Sequence, residues 1–320
     1  MRCLYCYKKL EQGKVDFHPA CSRKIFGKPE PPVLPYTEDQ MLELGEKIIK
    51  SQIAVTGVQP KLSLDLEKPG KENNDIKKPQ RFTIVGLWGG YILKPPTKQY
   101  PQLPELEDLT MHLATLANII TVPHSLIRMQ SGNLAYITKR IDRNKKTKLH
   151  MEDMCQLTER LTEDKYKGSY EQIGKAIVKY SANPGLDLIN FFEQVIFSFL
   201  TGNADMHLKN FSLIQQSPNA AEYILSPAYD MVASALVVKG DEEELALNLN
   251  GKKRKIQRKD FDASLSSFKL LEERAIENMY GKFSATINEW LAFIPQSFLP
   301  DEMKEQYISL IRQRAATLKL

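Results

Sequence analysis

The sequence predicts an α+β fold with two lobes, a small α/β lobe followed by a mainly helical one. The chain has 320 residues, a length that suggests about two structural units. Several segments before residue 143 alternate apolar and polar residues as strands do, and helical spacing of apolar residues dominates beyond residue 150. We therefore expect four consecutive parts: a zinc-knuckle-like segment at 1–28, a proline-rich linker at 29–36, a first lobe at 37–145 and a second lobe at 146–320.

Composition and charge are those of an ordinary globular protein. Hydrophobic residues make up 42% of the chain and charged residues 26%, which argues against disorder. The formal net charge of +5 is mild and does not by itself indicate a nucleic-acid-binding protein. The N-terminus lacks the apolar core of a signal peptide, and no stretch approaches the ~18 apolar residues of a membrane span. We expect a cytoplasmic protein with no membrane partner.

Three of the four cysteines lie in the first 21 residues and suggest a metal site. Cys3-x2-Cys6 and His18-x2-Cys21 supply three thiolates and one imidazole, a tetrahedral set that suits Zn²⁺. One ion could then close a knuckle that is too small to fold alone. The alternative is a group of reduced, solvent-facing thiols without a metal. The fourth cysteine, Cys155, lies in a helical pattern and is expected to be a small buried hydrophobe.

The first lobe is predicted to contain several strands and one interposed helix. The segment 29–35 has too many prolines for a helix or a central strand. It is followed by an amphipathic helix at 38–50 and then by alternating segments typical of strands. The expected strands are 60–66, 81–85, 91–94 and 136–141, with a hairpin loop at 67–80 and a helix at 105–118.

The second lobe is predicted to be built around one long apolar helix at 186–200. Its aromatic and aliphatic residues recur at helical spacing, and Gly202-Asn203 is a typical stop signal. Short strands are expected at 211–214 and 223–225. Asn250-Gly251 has the composition of a type I′ hairpin turn, and the chain is again helical from Phe261 onward.

The segment Gly202 to Asn210 carries the most specific chemical pattern. It is a loop between the core helix and a strand, where functional groups are often displayed. Asp205 and Asn210 have the separation of the base and the magnesium-binding asparagine in kinase catalytic loops. After two short strands, Asp230 supplies a second carboxylate for Mg²⁺, which takes few protein oxygens. The pattern therefore predicts an ATP-dependent kinase.

Two upstream residues fit the same chemistry. Lys94 closes a predicted strand, where a kinase lysine meets ATP phosphates, and Glu107 on the following helix could hold it by an ion pair. Gly57, after Thr56, permits backbone amides to turn toward an anion. Simpler interpretations exist for some of the residues in this kinase pattern. Asp205 could cap a turn, Lys94 could be a solvated strand end, and His207 could be a hydrogen-bonded loop residue. Their order along the chain favours the kinase.

The basic run at 252–255, with Arg258 and Lys259, could contact nucleic acid or an acidic partner. Its position after a turn favours a solvated hairpin face instead.

At these residues the sequence resembles the HipA family, the serine/threonine kinase toxins of bacterial toxin–antitoxin modules. The resemblance covers residues 53 to about 235 and excludes the knuckle and the linker. The matching stretches are Gly57-Val58-Gln59-Pro60-Lys61-Leu62-Ser63, Tyr91-Ile92-Leu93-Lys94, Pro104-Glu105-Leu106-Glu107, Arg140-Ile141-Asp142-Arg143, Glu152-Asp153-Met154-Cys155-Gln156, Asp205-Met206-His207-Leu208-Lys209-Asn210 and Pro227-Ala228-Tyr229-Asp230.

The resemblance implies a protein-kinase-like fold, transfer of the ATP γ-phosphoryl group to serine or threonine, and growth arrest. Family members modify aminoacyl-tRNA synthetases and are neutralised by a helix-turn-helix antitoxin, so that DNA is contacted only indirectly. Carried onto this chain, Asp205 is expected to be the base and Asn210 and Asp230 the metal ligands. The expected nucleotide-contacting residues are Thr56, Gly57, Val58, Lys61, Lys94, Glu107, Lys139, Ile141, Asp142 and His207.

The sequence departs from the family pattern at three places. Ala54 stands where members carry a serine whose phosphorylation silences the kinase, which puts such control in doubt. Met151 stands where a nucleotide-contacting glutamine is expected. Longer members have a β-rich N-terminal subdomain, and only the knuckle is found here, which suggests a split system with that subdomain on a separate small protein.

Two other functions stay open at the level of sequence. The same loop chemistry would serve a small-molecule or lipid kinase, because the base acts on any hydroxyl. A degenerate kinase that binds a partner or DNA through the knuckle and the basic hairpin is the second alternative, although no helix-turn-helix pattern supports it.

Overall fold

The structure is a computed structural model that describes residues 1–41, 43–44, 61–66, 80–85, 89–144, 147–238, 240 and 242–320. The chain divides into two compact units. Unit 1 comprises residues 1–108 and 122–141, and unit 2 comprises residues 109–121 and 142–320. The predicted helix at 38–50 is helical at 38–41, 43 and 44, and its remainder lies outside the described residues. The predicted anion loop around Gly57 and most of the loop 67–80 also lie outside them.

Unit 1 contains a five-stranded antiparallel sheet with the strand order β2-β1-β3-β5-β4. Its elements are α1 (Pro19–Phe26), β1 (Leu62–Leu66), β2 (Phe82–Ile84), β3 (Tyr91–Lys94), the first residues of α2 (Leu103–Leu116), β4 (His124–Arg128) and β5 (Leu134–Lys139). The alternation that predicted β1 is visible in its burial, since Leu62 and Leu64 are buried and Asp65 is exposed. Helix α1 begins with a proline and ends at Gly27, whose φ of 77° suits a residue without a Cβ.

Strand β4 was not predicted, and its burial explains why. Four of its five residues are buried, so its sequence lacks the alternation that marks a half-buried strand. It pairs with β5 on one side. On the other side the N-terminal segment covers it, because the Leu126 amide donates to the Leu4 carbonyl at 3.3 Å. The N-terminal segment is therefore part of the same unit as the sheet.

Unit 2 is mainly helical, with a three-stranded sheet of order β10-β9-β8 and a two-stranded hairpin, β6–β7. Its elements are β6 (Arg143–Asn144), β7 (Thr147–Lys148), β8 (Met151–Asp153), α3 (Met154–Leu157), α4 (Tyr170–Tyr180), α5 (Pro184–Thr201), β9 (Ser212–Gln215), β10 (Tyr223–Leu225), α6 (Arg258–Ser266), α7 (Glu273–Phe293) and α8 (Asp301–Leu318). The observed mixture of sheet and helix agrees with the predicted α+β class.

Helix α5 is the core helix that the sequence predicts, two residues longer at its start and one at its end. From Phe191 to Thr201 every residue is buried. Asn250 and Gly251 both have positive φ, as a type I′ turn requires. The flanking residues form only an isolated bridge, Leu249 to Lys252, rather than the predicted pair of strands. Within the described part of the chain, no helix is long and apolar enough to span a bilayer.

Candidate active site

The loop that follows α5 is held in a defined shape by its own hydrogen bonds. Gly202 ends the helix in the left-handed conformation (φ 69°), and a Cβ there would lie 2.5 Å from Leu310 Cδ2. Asn203 is fully buried, and its Oδ1 accepts a hydrogen bond from the Asp205 amide at 3.2 Å. The amide of Ala204 donates to Ser234 Oγ at 2.9 Å. The loop thus leaves the helix along a path fixed by buried polar groups.

Asp205 and Asn210, five residues apart, are brought together directly. Asn210 Nδ2 donates to the Asp205 carbonyl at 3.0 Å, and the 3-10 turn Leu208–Asn210 brings the asparagine back along the loop. Because the amide nitrogen is used in this bond, the Asn210 Oδ1 is the atom left to bind a cation. The loop therefore closes on itself through the side chain of Asn210 and the backbone of Asp205.

Tyr229 joins the segment of Asp230 to the same loop. Its hydroxyl donates to the Lys209 carbonyl at 3.0 Å and lies 2.5 Å from Ser212 Oγ. Asp230 itself has a φ of 56°, a left-handed conformation that is uncommon for residues other than glycine. The tyrosine anchor thus positions Asp230 beside the residues that precede Asn210.

Tyr166, which no sequence pattern indicated, contacts the predicted base. Its hydroxyl donates to Asp205 Oδ1 at 2.5 Å. Its ring meets the ring of His207 edge-on, with 4.9 Å between centroids. The segment of Tyr166 is also tied to the loop by its backbone, because the Leu208 amide donates to the Lys165 carbonyl. The tyrosine is 41% exposed, so the carboxylate of Asp205 meets a hydroxyl at the protein surface.

His207 lies buried in the loop and is uncharged at neutral pH. Burial, more than any neighbouring charge, lowers the pKa of His207 to about 4, although the negative charges of Asp205 and Asp230 act in the opposite direction. Its Nδ1 is buried and finds no hydrogen-bond partner among the described residues. A neutral imidazole with an unused ring nitrogen suits contact with a polar ligand.

Lys209 in the same loop forms an ion pair of 2.6 Å with Asp153. Asp153 caps the short helix α3, where its side chain and that of Gln156 bond reciprocally to backbone amides. Cys155 on this helix is 2% exposed, in agreement with the buried hydrophobe that the sequence predicts. The ion pair of Lys209 and Asp153 therefore fixes the loop to β8 and α3.

In unit 1, Lys94 and Glu107 form a buried ion pair of 2.5 Å. Their side chains are only 5% and 2% exposed, and the lysine ammonium lies 5.4 Å from the ring centroid of Tyr136. Breaking a buried pair by removing one partner typically costs about 3–5 kcal/mol. The pairing that the sequence suggested for these two residues is therefore present and tightly enclosed.

The other predicted nucleotide-contacting residues are distributed over both units. In unit 1, Lys139 ends β5 and Ile141 follows it, while Lys61 is exposed before β1. In unit 2, Asp142 is buried and accepts a hydrogen bond from Arg143 at 2.7 Å. Thr56, Gly57 and Val58 lie outside the described residues.

The four metal-ligand candidates of the N-terminal segment converge in unit 1. The ligand atoms of Cys3, Cys6, His18 and Cys21 lie within 4.8 Å of one another; we refer to them as the cysteine cluster. His18 Nδ1 is 3.5 Å from Cys6 Sγ and 3.8 Å from Cys21 Sγ. The other ring nitrogen, Nε2, lies 3.1 Å from the Lys9 carbonyl.

The basic run after Gly251 is largely neutralised by acidic partners. Lys252 pairs with Asp260, Lys253 with Glu243, Arg254 with Glu242 and Arg258 with Glu277. This pairing favours the solvated hairpin face over a nucleic-acid contact.

Comparison with known proteins relates the chain to a family of kinase-like proteins. The model of the HipA-like C-terminal domain matches residues 53–291. A relative from Sinorhizobium fredii, Y4dM, which is named as an inferred kinase, is 31% identical over 255 residues, or 76% of this chain and 59% of its own length. A Haemophilus influenzae protein, also named as an inferred kinase, is 31% identical over 63% of this chain and 58% of its own length. The chain thus spans a little under three fifths of the length of these relatives.

Two solved structures share the fold. The HipA of Shewanella oneidensis, solved with HipB and operator DNA, superposes with a TM-score of 0.67 at 19% identity and covers 97% of this chain and 80% of its own. The proinflammatory kinase CtkA of Helicobacter pylori gives a TM-score of 0.52 at 16% identity, over 71% of this chain and 84% of its own.

Proposed function

The chain belongs to the HipA-like C-terminal domain family, and from this premise we propose that it is an ATP-dependent protein kinase that phosphorylates serine or threonine. The observation that carries the proposal is the closed loop of unit 2, in which Asn210 donates to the carbonyl of Asp205. Tyr229 ties Asp230 to the same loop. The proposed base and the two proposed metal ligands thereby lie on chain segments that are joined by hydrogen bonds, which supports a role in phosphoryl transfer.

In this proposal Asp205 receives the proton of the substrate hydroxyl, and Asn210 and Asp230 hold magnesium. Mg²⁺, when bound, would neutralise the charge that develops on the phosphates. The donor set fits such an ion, since carboxylate and amide oxygens are hard ligands. The buried, unused Nδ1 of His207 fits a polar group of the nucleotide.

Unit 1 would supply the phosphate-binding lysine. Lys94 is positively charged and held by Glu107, so its ammonium is oriented before the nucleotide arrives. Thr56, Gly57, Val58 and Lys61 are proposed to contact the phosphates. The backbone of Lys139 to Ile141 and the Asp142 side chain are proposed to contact the base and the ribose.

We also propose that the cysteine cluster binds one structural zinc ion. In a tetrahedral site with Zn–S of about 2.3 Å and Zn–N of about 2.0 Å, sulfur and nitrogen lie about 3.5 Å apart. The distances from His18 Nδ1 to Cys6 and Cys21, 3.5 and 3.8 Å, are close to that value. The carbonyl of Lys9 would accept the proton of Nε2 and so leave Nδ1 free for the metal, a common orientation of zinc-bound histidine.

The biological setting follows by analogy. The structural neighbour HipA was solved with HipB and operator DNA, which supports a helix-turn-helix antitoxin as partner and indirect contact with DNA. The proposed substrate is a protein hydroxyl, with aminoacyl-tRNA synthetases as the first candidates. A separate small protein that carries a β-rich subdomain is proposed as a second partner.

The test is phosphorylation with labelled ATP in the presence of a cell lysate. The wild-type chain should label a protein band in a magnesium-dependent way, and Asp205→Asn and Asp230→Asn should each abolish labelling while keeping the wild-type circular dichroism spectrum. Retained activity in either variant would remove the residue assignment. Label confined to metabolites or lipids would favour a small-molecule kinase, and an inactive wild-type chain that binds DNA would favour the degenerate kinase.

A further inference from the structure

A continuous set of buried contacts leads from the cysteine cluster to the Lys94–Glu107 pair. It starts at Tyr7, which directly follows Cys6 and is fully buried. The Tyr7 amide donates to the Cys3 carbonyl at 2.9 Å, and its φ is 60°. The turn that brings Cys3 and Cys6 together therefore also fixes the direction of the Tyr7 side chain.

Tyr7 reaches helix α2 through a hydrogen bond of its hydroxyl. Its hydroxyl donates to Asp108 Oδ2 at 2.8 Å. The other carboxylate oxygen of Asp108 lies 2.7 Å from His124 Nδ1. Because a fully buried carboxylate is stable only when it is hydrogen-bonded, both contacts hold α2 in place.

Asp108 is the next residue after Glu107, and successive helical residues point about 100° apart. The helix can therefore contact the N-terminal segment and β4 with one carboxylate and Lys94 of β3 with the other. Tyr136 contacts both His124 and Lys94. The ring of His124 stacks on the Tyr136 ring with 6.0 Å between centroids, and the ammonium of Lys94 lies 5.4 Å from the Tyr136 centroid. All of these residues belong to unit 1.

Further contacts fix the N-terminal segment to the same strands. The hydroxyl of Tyr91 on β3 donates to the Ile25 carbonyl at 3.2 Å. Ser125 Oγ on β4 donates to the Leu4 carbonyl at 3.2 Å. The ring of Phe26 lies 6.2 Å from that of Tyr91. The N-terminal segment thus contacts both β3, which carries Lys94, and α2, which carries Glu107.

We propose that the zinc-closed N-terminal segment is a positioning element for the ATP lysine, with Tyr7 and Asp108 as the positioning residues. This inference rests on the proposed function, in which Lys94 binds the nucleotide phosphates. With zinc bound, the turn at Cys3 and Cys6 holds Tyr7, Tyr7 holds α2, and α2 keeps Glu107 against Lys94. Without zinc, the turn loses its link to His18 and Cys21, and the lysine loses its orientation.

The sharpest test is Tyr7→Phe, which removes one hydroxyl and keeps the buried ring. We expect full zinc content by metal analysis and an apparent Kd for a fluorescent ATP analogue raised about tenfold, the lower end expected for loss of one hydrogen bond to a charged group. The KM for ATP should rise similarly, with a smaller change in kcat. Tyr5→Phe, in the same segment, is the matched control and should leave both constants unchanged.

A second variant tests the metal itself. Cys21→Ser should lower the zinc content and raise the Kd for the ATP analogue in the same way, and removal of zinc from the wild type by a chelator should do so reversibly. The inference is overturned if Tyr7→Phe, or the zinc-depleted wild type, binds the analogue with wild-type affinity. Failure of the kinase proposal is seen separately, as a wild-type chain without phosphotransfer.

Discussion

In the wild-type chain we expect the stability of helix α2 to depend on pH through Glu105, and the substitution Glu105→Gln should remove this dependence. Glu105 lies in the first turn of that helix. Burial, with the negative charge of Asp108 as a smaller contribution in the same direction, raises the pKa of Glu105 from 4.5 to about 7. In the unfolded chain the carboxyl loses its proton near its ordinary pKa. Between these two values the folded state holds a proton that the unfolded state has released.

The sign of the effect follows from this difference. Stability falls as the pH rises through the window from 4.5 to about 7, because the unfolded state binds fewer protons there. At about 1.36 kcal/mol per pKa unit, the loss is at most about 3 kcal/mol. Glutamine keeps the size of the side chain and has no proton to lose. The variant should therefore match the wild type near pH 4.5 and exceed it by up to about 3 kcal/mol at pH 8.

The assay is hydrogen exchange of the α2 amides at pH 5 and pH 8, corrected for the intrinsic exchange rate. It reports the stability of this helix even where the two units unfold separately. Glu289→Gln, at an exposed position of α7, is the matched control. The reasoning is refuted if the stability of α2 differs between the Glu105→Gln variant and the wild type by the same amount at pH 5 and at pH 8.

Three further predictions concern the candidate site. Tyr166→Phe should lower kcat several-fold with little change in the KM for ATP, because the hydroxyl that orients the Asp205 carboxylate is lost; an unchanged or higher kcat contradicts this role. Lys94→Met should unfold unit 1 more easily, by about 3–5 kcal/mol, since Glu107 loses the buried ammonium with which it pairs; adding Glu107→Gln should recover most of that stability in urea unfolding but not the activity. Asp230→Ala should be about 1 kcal/mol less stable than Asp230→Gly, because only glycine tolerates a φ of 56° freely, and both variants should be inactive in the labelling assay.

The sequence predicted those parts of the fold whose pattern is local. Strand β3 and strand β10 have the bounds that alternation indicated, and α5 was found from its helical spacing and its glycine stop. Strand β4 was missed because its residues are buried on both faces. The hairpin at Asn250-Gly251 was overpredicted: the turn forms, but the flanking residues make an isolated bridge and then pair their charges with other segments.

The candidate site divides in the same way. Asp205, Asn210 and their spacing are a local signal, and opposite charges on successive elements suggested the pair of Lys94 and Glu107. Tyr166 could not be found this way, because it contacts Asp205 across 39 residues of sequence. The bond from Tyr7 to Asp108 spans 101 residues. A single sequence contains no periodicity or spacing rule for such contacts, since they depend on how whole elements pack.

Asp230 shows why the functional and the structural requirements must be separated residue by residue. Its left-handed backbone, with a φ of 56°, would be easier for glycine to adopt. The neighbouring Tyr229 is held by Ser212 and by the Lys209 carbonyl, which fixes the strained position against the loop of Asp205 and Asn210. Strain that is held in place by its surroundings commonly marks a functional site. Under the proposed function, the carboxylate at this position would bind magnesium together with Asn210.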